Sequence, residues 1–187
     1  MTLALLDALR RRYSPRKYAS RPLEAQVLAR IFEAARWAPS SYNRQPWRFL
    51  VTRKGGEGYN RLLEVLSPTN QDWARTAPVL VLAVAVEEDE RGPNRYALHD
   101  LGLACGLLTA QAAALGIYPH FMAGFDKEKA REVFGLPPHT RPVTVIALGY
   151  PASDEPPRAR TRHPLHELVF EEAWERPASW AHQEVRA

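Results

Sequence analysis

The 187-residue sequence predicts an α+β domain in which helices are layered against a sheet. Apolar, β-branched runs with strand character alternate with segments whose apolar residues recur at helical spacing. Only four of the strands are plain, and this favours an α+β layered arrangement. The chain contains no internal repeat and no linker between two cores, so we expect one domain over residues 1–187.

Two amphipathic helices are predicted at the beginning of the chain. The first extends from Leu3 to about Arg11, and the second begins near Pro22 and ends before Pro39. Each has one apolar stripe at helical spacing, formed by Leu3, Leu6 and Leu9 in the first and by Leu23, Val27, Ile31 and Ala34 in the second.

The next segment is predicted to contain two strands and two short helices. These elements are a strand over 47–52, helices over 59–66 and 70–77, and a strand over 78–86. The run PVLVLAVAV (78–86) lacks a polar face, so we expect this strand to be buried on both sides. The charged residues 87–94 are predicted to form a surface loop.

Residues 95–115 form the longest predicted helix, and Gly116 follows at the position of a C-terminal cap. The helix consists mainly of leucines and small residues, with few polar positions. A helix of this composition is expected to be buried on several sides, in a core or at a subunit interface.

The remaining elements are a strand over 118–122, a helix from Asp126 to Phe134 and a strand over 142–150. A connector rich in proline and arginine leads from there to a tail, residues 164–187, which contains Trp174 and Trp180. This tail carries large apolar residues although it follows the last core strand. We therefore expect it to pack on a second subunit.

Composition argues against several classes of protein. A hydrophobic share of 45% and a charged share of 25% are ordinary for a globular chain. The longest apolar runs are shorter than the roughly 20 residues of a membrane span. The N-terminal basic residues follow the apolar stretch, the reverse of a secretory signal, and the lone Cys105 excludes an internal disulfide. We expect a cytoplasmic protein.

Common catalytic and nucleotide-binding motifs are missing from the sequence. The 6 histidines show no metal-ligand spacing, so they are interpreted as surface residues and no metal site is predicted. There is no GxSxG, GxGxxG or GxxxxGK[ST] motif. A net charge of +4 leaves nucleic-acid binding as an alternative function, although basic clusters near both ends suit a small anionic ligand better.

The clearest candidate site is the segment RRYSPRKY (11–18). In an extended segment Arg12, Ser14 and Arg16 point to the same side and could hold a phosphate, which arginine binds bidentately. A solvated basic turn is the alternative. Arg160 and Arg162 repeat the alternate spacing, and convergence of both sets would neutralise a phosphate dianion.

A second candidate is the uncharged cluster in SSYNRQPWRF (40–49). Its side chains supply hydrogen-bond donors and acceptors, which suit the edge of a heterocycle better than a phosphate. They belong to Ser40, Ser41, Asn43 and Gln45. Together the two clusters indicate a phosphate-bearing heterocycle, either a mononucleotide or a flavin.

The segments RRYSPRKY and AARWAPSSYNRQPWRFLV resemble the N-terminal signature of the FMN-dependent nitroreductase family. The resemblance continues through NQDWARTAPVLVLAVA, AQAAALGIYPHFMAGFD, VFGLPPHTRPVTVIALGYP and RTRHPLHELV, so it covers nearly the whole chain. It implies an α/β sandwich with a central, mostly antiparallel sheet flanked by helices. It also implies an intertwined homodimer with FMN at the subunit interface, in which helix 95–115 is the dimer-core helix.

The resemblance assigns cofactor-binding roles residue by residue. The turn that holds the phosphate, ribityl chain and pyrimidine edge matches Arg12, Tyr13, Ser14 and Arg16, and a C-terminal basic pair matches Arg160 and Arg162. Residues that reach the flavin from the partner subunit match Pro39, Ser40, Ser41, Asn43 and Gln45. The polar edge of the ring matches Asn70, and the backbone near N5 and O4 matches Ala123 and Gly124.

Two departures from the family pattern concern the substrate pocket. Many members have Glu-Gly where this chain has Ala123-Gly124, so no side-chain carboxylate is present there. The segment before the long helix is also brief, whereas longer members insert helices that cover the pocket. We expect a more open pocket.

The resemblance implies ping-pong transfer of a hydride from NADH or NADPH through flavin N5 to nitroaromatics, quinones or similar acceptors. Arg16 is the candidate for stabilising the reduced flavin, and no general acid or base is assigned. The alternative within the superfamily is a flavin-binding protein, or one that fragments flavin or removes halogen reductively.

Overall fold

The computed structural model describes residues 4–154, 157 and 159–182. Its strands are β1 (Trp47–Arg53), β2 (Val79–Val86), β3 (Glu88–Asp89), β4 (Gly92–Pro93), β5 (Tyr118–Met122) and β6 (Thr140–Gly149). Its helices are α1 (Asp7–Arg11), α2 (Ala25–Arg36), α3 (Glu57–Glu64), α4 (Pro68–Ala74), α5 (Ala97–Ala114) and α6 (Lys127–Val133). The predicted α+β class, with an antiparallel sheet flanked by helices, is confirmed.

The central sheet has four strands in the order β1-β2-β6-β5, and every neighbouring pair is antiparallel. Side chains alternate between its two faces along each strand. On β2, Val79, Val81 and Ala83 pack towards α2 and α5, whereas Leu80 and Leu82 pack towards α3 and α6. The expected burial of this strand on both sides is therefore confirmed.

Helix starts differ from the predicted positions for local reasons. The first helix begins at Asp7, because Leu6 has an extended ψ of 135°, and the predicted start at Leu3 lies outside the described residues. The second begins at Ala25, since Glu24 is extended in the same way. The α4 helix begins with Pro68 at its first turn, two residues before the predicted start.

The charged segment 87–94 forms more than the predicted loop. Glu88 and Asp89 pair with Pro93 and Gly92 to form the two-stranded β3–β4 hairpin. Gly92 adopts the left-handed region, with φ of 85°, which the tight reversal requires. This hairpin is one of the elements that position the candidate site.

The long helix α5 packs on α2 and on the sheet with one side, and α1 also contacts it. Its other side remains exposed in the single chain, where Leu103 and Leu107 keep 38% and 39% of their surface. An apolar groove of about 690 Å³ continues from this side between α1, α2 and α5. The expected burial on several sides is thus not found within one chain.

The described part of the tail, residues 164–182, folds back on itself. Phe170 pairs with Pro177, and its ring lies 5.0 Å from that of Trp174. Large apolar side chains nevertheless remain exposed, with Trp174 82% and Trp180 54% accessible. Within the described ranges, no helix is both long and apolar enough to cross a membrane.

Candidate active site

Residues 12–15 follow α1 without regular secondary structure and Arg16 lies in a bend, but burial alternates along the segment as the spacing predicted. Tyr13 and Pro15 are buried, whereas Ser14 and Arg16 are exposed and Arg12 is half-buried. The Tyr13 ring lies 4.9 Å from the Tyr118 ring. The buried Tyr13 ring therefore anchors the segment, and any contact of Tyr13 with a ligand would come from its backbone.

The two ends of the chain are brought together by backbone pairing beside β6. The Ala19 amide donates to the Tyr150 carbonyl over 2.9 Å, and the Ala152 amide donates to the Lys17 carbonyl over 3.0 Å. This pairing directs both residues 12–16 and the arginine-rich connector to one place. Its consequence is that Arg160 donates hydrogen bonds to the backbone carbonyls of Arg12 and Arg10.

The convergence concentrates positive charge around Arg12. Burial and then the charges of Arg160 and Arg162 lower the pKa of the Arg12 guanidinium from its ordinary value. Arg12 Nη1 also donates to Ser14 Oγ over 3.3 Å. In the described part of the chain no carboxylate lies within 4 Å of these three arginines. Such a group of uncompensated cations fits a phosphate dianion.

A second part of the site lies where β5 ends. Asn70 Nδ2, on α4, donates to the Gly124 carbonyl over 3.0 Å, and the Ser67 amide donates to the same oxygen over 2.9 Å. A Cβ atom at Gly124 would lie 3.0 Å from Asn70 Nδ2, so a larger residue would displace that side chain. The amides of Ala123 and Gly124 donate to no protein acceptor within the described residues.

His120 joins these two parts, and sequence reasoning gave it no role. Its Nδ1 lies 2.8 Å from the Pro15 carbonyl oxygen. Its ring centroid lies 4.3 Å from that of Trp73, which follows Asn70 on α4. The available signal was the alternation along β5, which places Tyr118 and His120 on one face of the strand. The interpretation of His120 as a surface histidine was wrong, because the ring is half-buried between two elements.

The loop 39–45 has an unusual backbone. Tyr42, Asn43 and Gln45 adopt the left-handed region, with φ of 52°, 55° and 47°. Such conformations in residues other than glycine cost of order 1–3 kcal/mol each and persist only where neighbouring contacts enforce them. Ser40 Oγ supplies one of these contacts by accepting a hydrogen bond from the Gln45 amide over 3.0 Å.

This loop is held by two carboxylates to which the sequence analysis gave no role. Asp100, 1% exposed in the first turns of α5, accepts a 2.9 Å hydrogen bond from the Ser41 amide. Asp89 accepts a 2.9 Å hydrogen bond from Arg44 Nε, while Arg44 Nη1 donates to the Pro93 carbonyl over 3.1 Å. Arg44 thereby ties the loop to the β3–β4 hairpin.

We expect Asp89→Asn to reduce stability at neutral pH and to lose this effect in acid. The hydrogen bond from Arg44, and then that from the Arg91 amide, lower the pKa of Asp89 below its ordinary 3.8. A carboxylate with a lowered folded-state pKa stabilises the fold above its unfolded pKa, and this contribution disappears as pH falls through the folded value. The difference in Tm between wild type and variant should therefore shrink below about pH 3.8.

The matched control for this prediction is Asp72→Asn. Asp72 is exposed and lies 4.0 Å from Arg75, so its contribution should be small at every pH. Thermal melts of the three proteins from neutral pH into acid measure both effects. An Asp89→Asn difference that stays constant with pH would contradict the role given to the Arg44 pair.

One chain does not bring all the predicted site residues together. The loop 39–45 precedes β1, whereas Ala123 and Gly124 follow β5, and these strands form opposite edges of the sheet about 14 Å apart. Asp100 also holds the loop near the start of α5, whereas α1, which leads into residues 12–16, lies against the second half of α5. The predicted residues therefore form two groups: Arg12, Ser14, Arg16, Asn70, Ala123, Gly124, Arg160 and Arg162, and separately Pro39, Ser40, Ser41, Asn43 and Gln45.

Comparison with known proteins agrees with this geometry. Residues 9–69 and 60–150 match the sequence model of the nitroreductase family. The chain belongs to the nitroreductase family. The membership inferred from the N-terminal motifs is thus confirmed.

Several relatives match this chain over most of their length. An NADH dehydrogenase of Thermus thermophilus is 32% identical, over 90% of this chain and 98% of the relative. A crystal structure described as an oxidoreductase containing FMN superposes with a TM-score of 0.86 at 30% identity, covering 92% and 93% of the two chains. An iodotyrosine deiodinase of Haliscomenobacter hydrossis is 25% identical, over 75% of this chain and 76% of the relative.

Proposed function

We propose that this nitroreductase-family chain is an FMN-dependent oxidoreductase that acts as a homodimer with NADH or NADPH as electron donor. The observation that carries the proposal is the cluster of Arg12, Arg160 and Arg162, which has no carboxylate partner in the described chain. A phosphate monoester would neutralise this cluster and accept bidentate hydrogen bonds from it. The Thermus relative is named an NADH dehydrogenase, and the similar crystal structure is described as an oxidoreductase containing FMN.

The chain also offers a suitable edge for a flavin ring. The Gly124 carbonyl is held by Asn70 and by the Ser67 amide, so the adjoining peptide has a fixed orientation. The neighbouring amides of Ala123 and Gly124 are exposed and can donate to ring atoms such as N5 and O4. Phosphate-binding and ring-binding groups are connected through β5 and His120.

When bound, FMN would supply the redox chemistry by accepting a hydride from NAD(P)H and passing electrons on to nitroaromatics, quinones or similar acceptors in ping-pong order. The chain binds and orients the cofactor and stabilises negative charge. Arg16, exposed beyond Ser14, is the cation proposed to stabilise charge that develops on the pyrimidine side. The β3–β4 hairpin is short, which favours an open acceptor pocket.

The dimer is proposed because one chain separates the two groups of predicted residues. The loop 39–45 would approach the flavin held by the partner, since the residues proposed to hold this chain's own cofactor lie near β5, the edge strand opposite β1. The exposed side of α5 offers the contact surface. A Cβ at Gly102 or Gly106 would meet nothing within 4 Å, and Leu103 and Leu107 flank this open space. Burial of such a surface by an identical helix would stabilise the pair.

The decisive experiment is the absorbance spectrum of the purified protein, followed by anaerobic addition of NADH. We expect a flavin spectrum, or one restored by added FMN, that bleaches with NADH and recovers when a nitroaromatic or quinone is added. A colourless protein that FMN cannot reconstitute would exclude the proposal.

Reductive dehalogenation is the second candidate function, favoured by the match to iodotyrosine deiodinase. The same reduced protein distinguishes the two candidates. A halogenated tyrosine should restore the oxidised spectrum faster than a nitroaromatic if dehalogenation is the activity. Recovery that is faster with the nitroaromatic supports the reductase.

Arg16→Ala is expected to slow the bleaching by NADH about tenfold while weakening FMN binding much less. The reason is that one well-placed charge supplies about 1.4 kcal/mol to the charged state of the ring, which corresponds to a factor of ten. Stopped-flow reduction and FMN titration measure the two effects separately. Arg16→Lys, which retains the charge, should recover most of the rate. Unchanged reduction kinetics in Arg16→Ala would refute the role.

Removal of the tail after His163 is expected to weaken the dimer. Residues 164–182 expose Trp174 and Trp180, whose apolar surfaces a partner subunit could cover. Light scattering at matched concentrations should show a dimer for the full chain and a larger monomer fraction for the truncated one. Circular dichroism serves as the control for folding. A truncated chain that is folded and fully dimeric would refute packing of the tail on the partner.

A further inference from the structure

The ring of His120 is held from two sides, and its hydrogen bond has only one possible direction. Its Nδ1 lies 2.8 Å from the Pro15 carbonyl oxygen, which can only accept, so Nδ1 carries the proton. On the other side, the ring lies 4.3 Å from that of Trp73 at an interplanar angle of 30°. This tilted ring contact limits rotation of the imidazole and keeps the N–H directed at Pro15.

Pro15 is the residue in the phosphate-binding segment for which this contact matters most. Proline has no backbone N–H, so the only hydrogen bond its own backbone can make is through the carbonyl. Pro15 lies between Ser14 and Arg16, whose side chains point away from the buried Tyr13 and Pro15. A shift of the Pro15 carbonyl would therefore move both side chains relative to β5.

The other partner of His120 belongs to the ring-binding part of the site. Trp73 lies on α4, three residues after Asn70, and Asn70 holds the Gly124 carbonyl. His120 is itself three residues before Ala123. The contact thus joins the residues proposed to hold the phosphate to those proposed to hold the isoalloxazine.

We propose that His120 is a positioning residue that sets the distance between the phosphate-binding and ring-binding parts of the site through its Nδ1–H bond to Pro15. The inference rests on the proposed function, because the ligand it positions is FMN. The histidine contacts Pro15 and Trp73, which support the site, and takes no part in hydride transfer. Its role is to pre-organise the segment 12–16, so that less conformational freedom is lost when the cofactor binds.

Two substitutions separate the hydrogen bond to Pro15 from the ring contact with Trp73. His120→Asn keeps an N–H donor near the position of Nδ1 but removes the ring, whereas His120→Phe keeps a ring against Trp73 but removes the donor. We expect His120→Phe to raise the FMN Kd about three- to tenfold, the range of one net hydrogen bond. We expect His120→Asn to stay within about twofold of wild type, because the donor is retained.

The measurements are FMN titration of the flavin-free dimer, the rate of NADH bleaching at saturating FMN, and the Tm without flavin. A residue that only fills space would give the reverse order, with Phe tolerated and Asn impaired in both Tm and Kd. That order, or an FMN Kd equal to wild type in His120→Phe, would overturn the inference. Failure of the wild type to bind FMN would instead refute the proposed function, so the two failures are distinguishable.

Discussion

Arg12→Ala is expected to weaken FMN binding about 100-fold. Burial, and then the charges of Arg160 and Arg162, already lower the pKa of the Arg12 guanidinium. A bound phosphate would offset the repulsion between these arginines. Each hydrogen bond between charged groups contributes about 1.5–3 kcal/mol to binding. The expected factor corresponds to about 2.7 kcal/mol, the upper part of that range, since the bond is partly shielded from solvent.

The comparison of FMN with riboflavin makes this prediction specific to the phosphate. Riboflavin has the same ring and ribityl chain but lacks the phosphate, so its affinity should be nearly the same in wild type and in Arg12→Ala. Titration of both flavins into flavin-free protein measures the difference. Equal losses for the two ligands would show that Arg12 acts through the ring or the fold, and would contradict its assignment to the phosphate.

Arg11→Ala is the matched control for Arg12→Ala. Arg11 lies next to Arg12 in the chain but turns to Asp7, with which it forms an exposed ion pair at 2.9 Å. Exposed pairs of this kind contribute little. We expect the FMN Kd of Arg11→Ala to remain within about twofold of wild type. A loss comparable to that of Arg12→Ala would indicate a general effect of net positive charge.

Asp100→Ala is expected to lower the free energy of unfolding by about 2–3 kcal/mol, because the Ser41 amide would lose its charged acceptor. Asp100 is 1% exposed and accepts hydrogen bonds from the Ser41 amide and from His99 Nδ1, both at 2.9 Å. Its position in the first turns of α5 also favours a negative charge. For a chain of this size the loss corresponds to a Tm decrease of roughly 4–12 °C.

The same substitution should impair the site as well as the fold. Without the Asp100 contact, the loop loses one of the restraints that keep Tyr42, Asn43 and Gln45 in left-handed conformations. We expect the FMN Kd to rise about tenfold, equivalent to about 1.4 kcal/mol, if the loop approaches the partner's cofactor. A loss of stability with unchanged FMN affinity would contradict the proposed placement of the loop.

Two further variants at this position serve as controls. Asp100→Asn keeps an oxygen that can accept from the Ser41 amide and should lose about half as much stability, since only the charge is removed. His99→Ala removes the other partner of Asp100. Because the His99 side chain is 65% exposed, we expect a loss of less than about 1 kcal/mol. Asp100→Ala as stable as wild type would refute the structural role of the carboxylate.

Much of the fold could be predicted from the sequence because the spacing of apolar residues within a segment indicates whether it forms a helix or a strand. The run 78–86 is apolar on both faces of a strand, and the structure places it inside the sheet with helices on both sides. Helix starts were less predictable. The starts of α1 and α2 depend on extended backbone at Leu6 and Glu24, a choice that the apolar periodicity does not reveal.

The contacts that hold the candidate site could not be predicted in the same way. Asp100 appeared only as one polar residue in an apolar helix, and His120 as one of several scattered histidines. Each acquires its role from a partner distant in the chain: Asp100 from Ser41, and His120 from Pro15 and Trp73. No spacing rule within one segment encodes such pairs.

The sequence by itself determined the α+β class, the buried central strand, the arginine-rich phosphate candidate and, through its motifs, the family. These features depend on residue type and short-range spacing, which are fully visible in one dimension. Only the tertiary structure decided that Arg12 and Arg160 converge, that His120 joins two parts of the site, and that the loop 39–45 precedes the edge strand opposite β5. The reason is that strand order and long-range backbone pairing set these distances, and neither follows from the periodicity of any single segment.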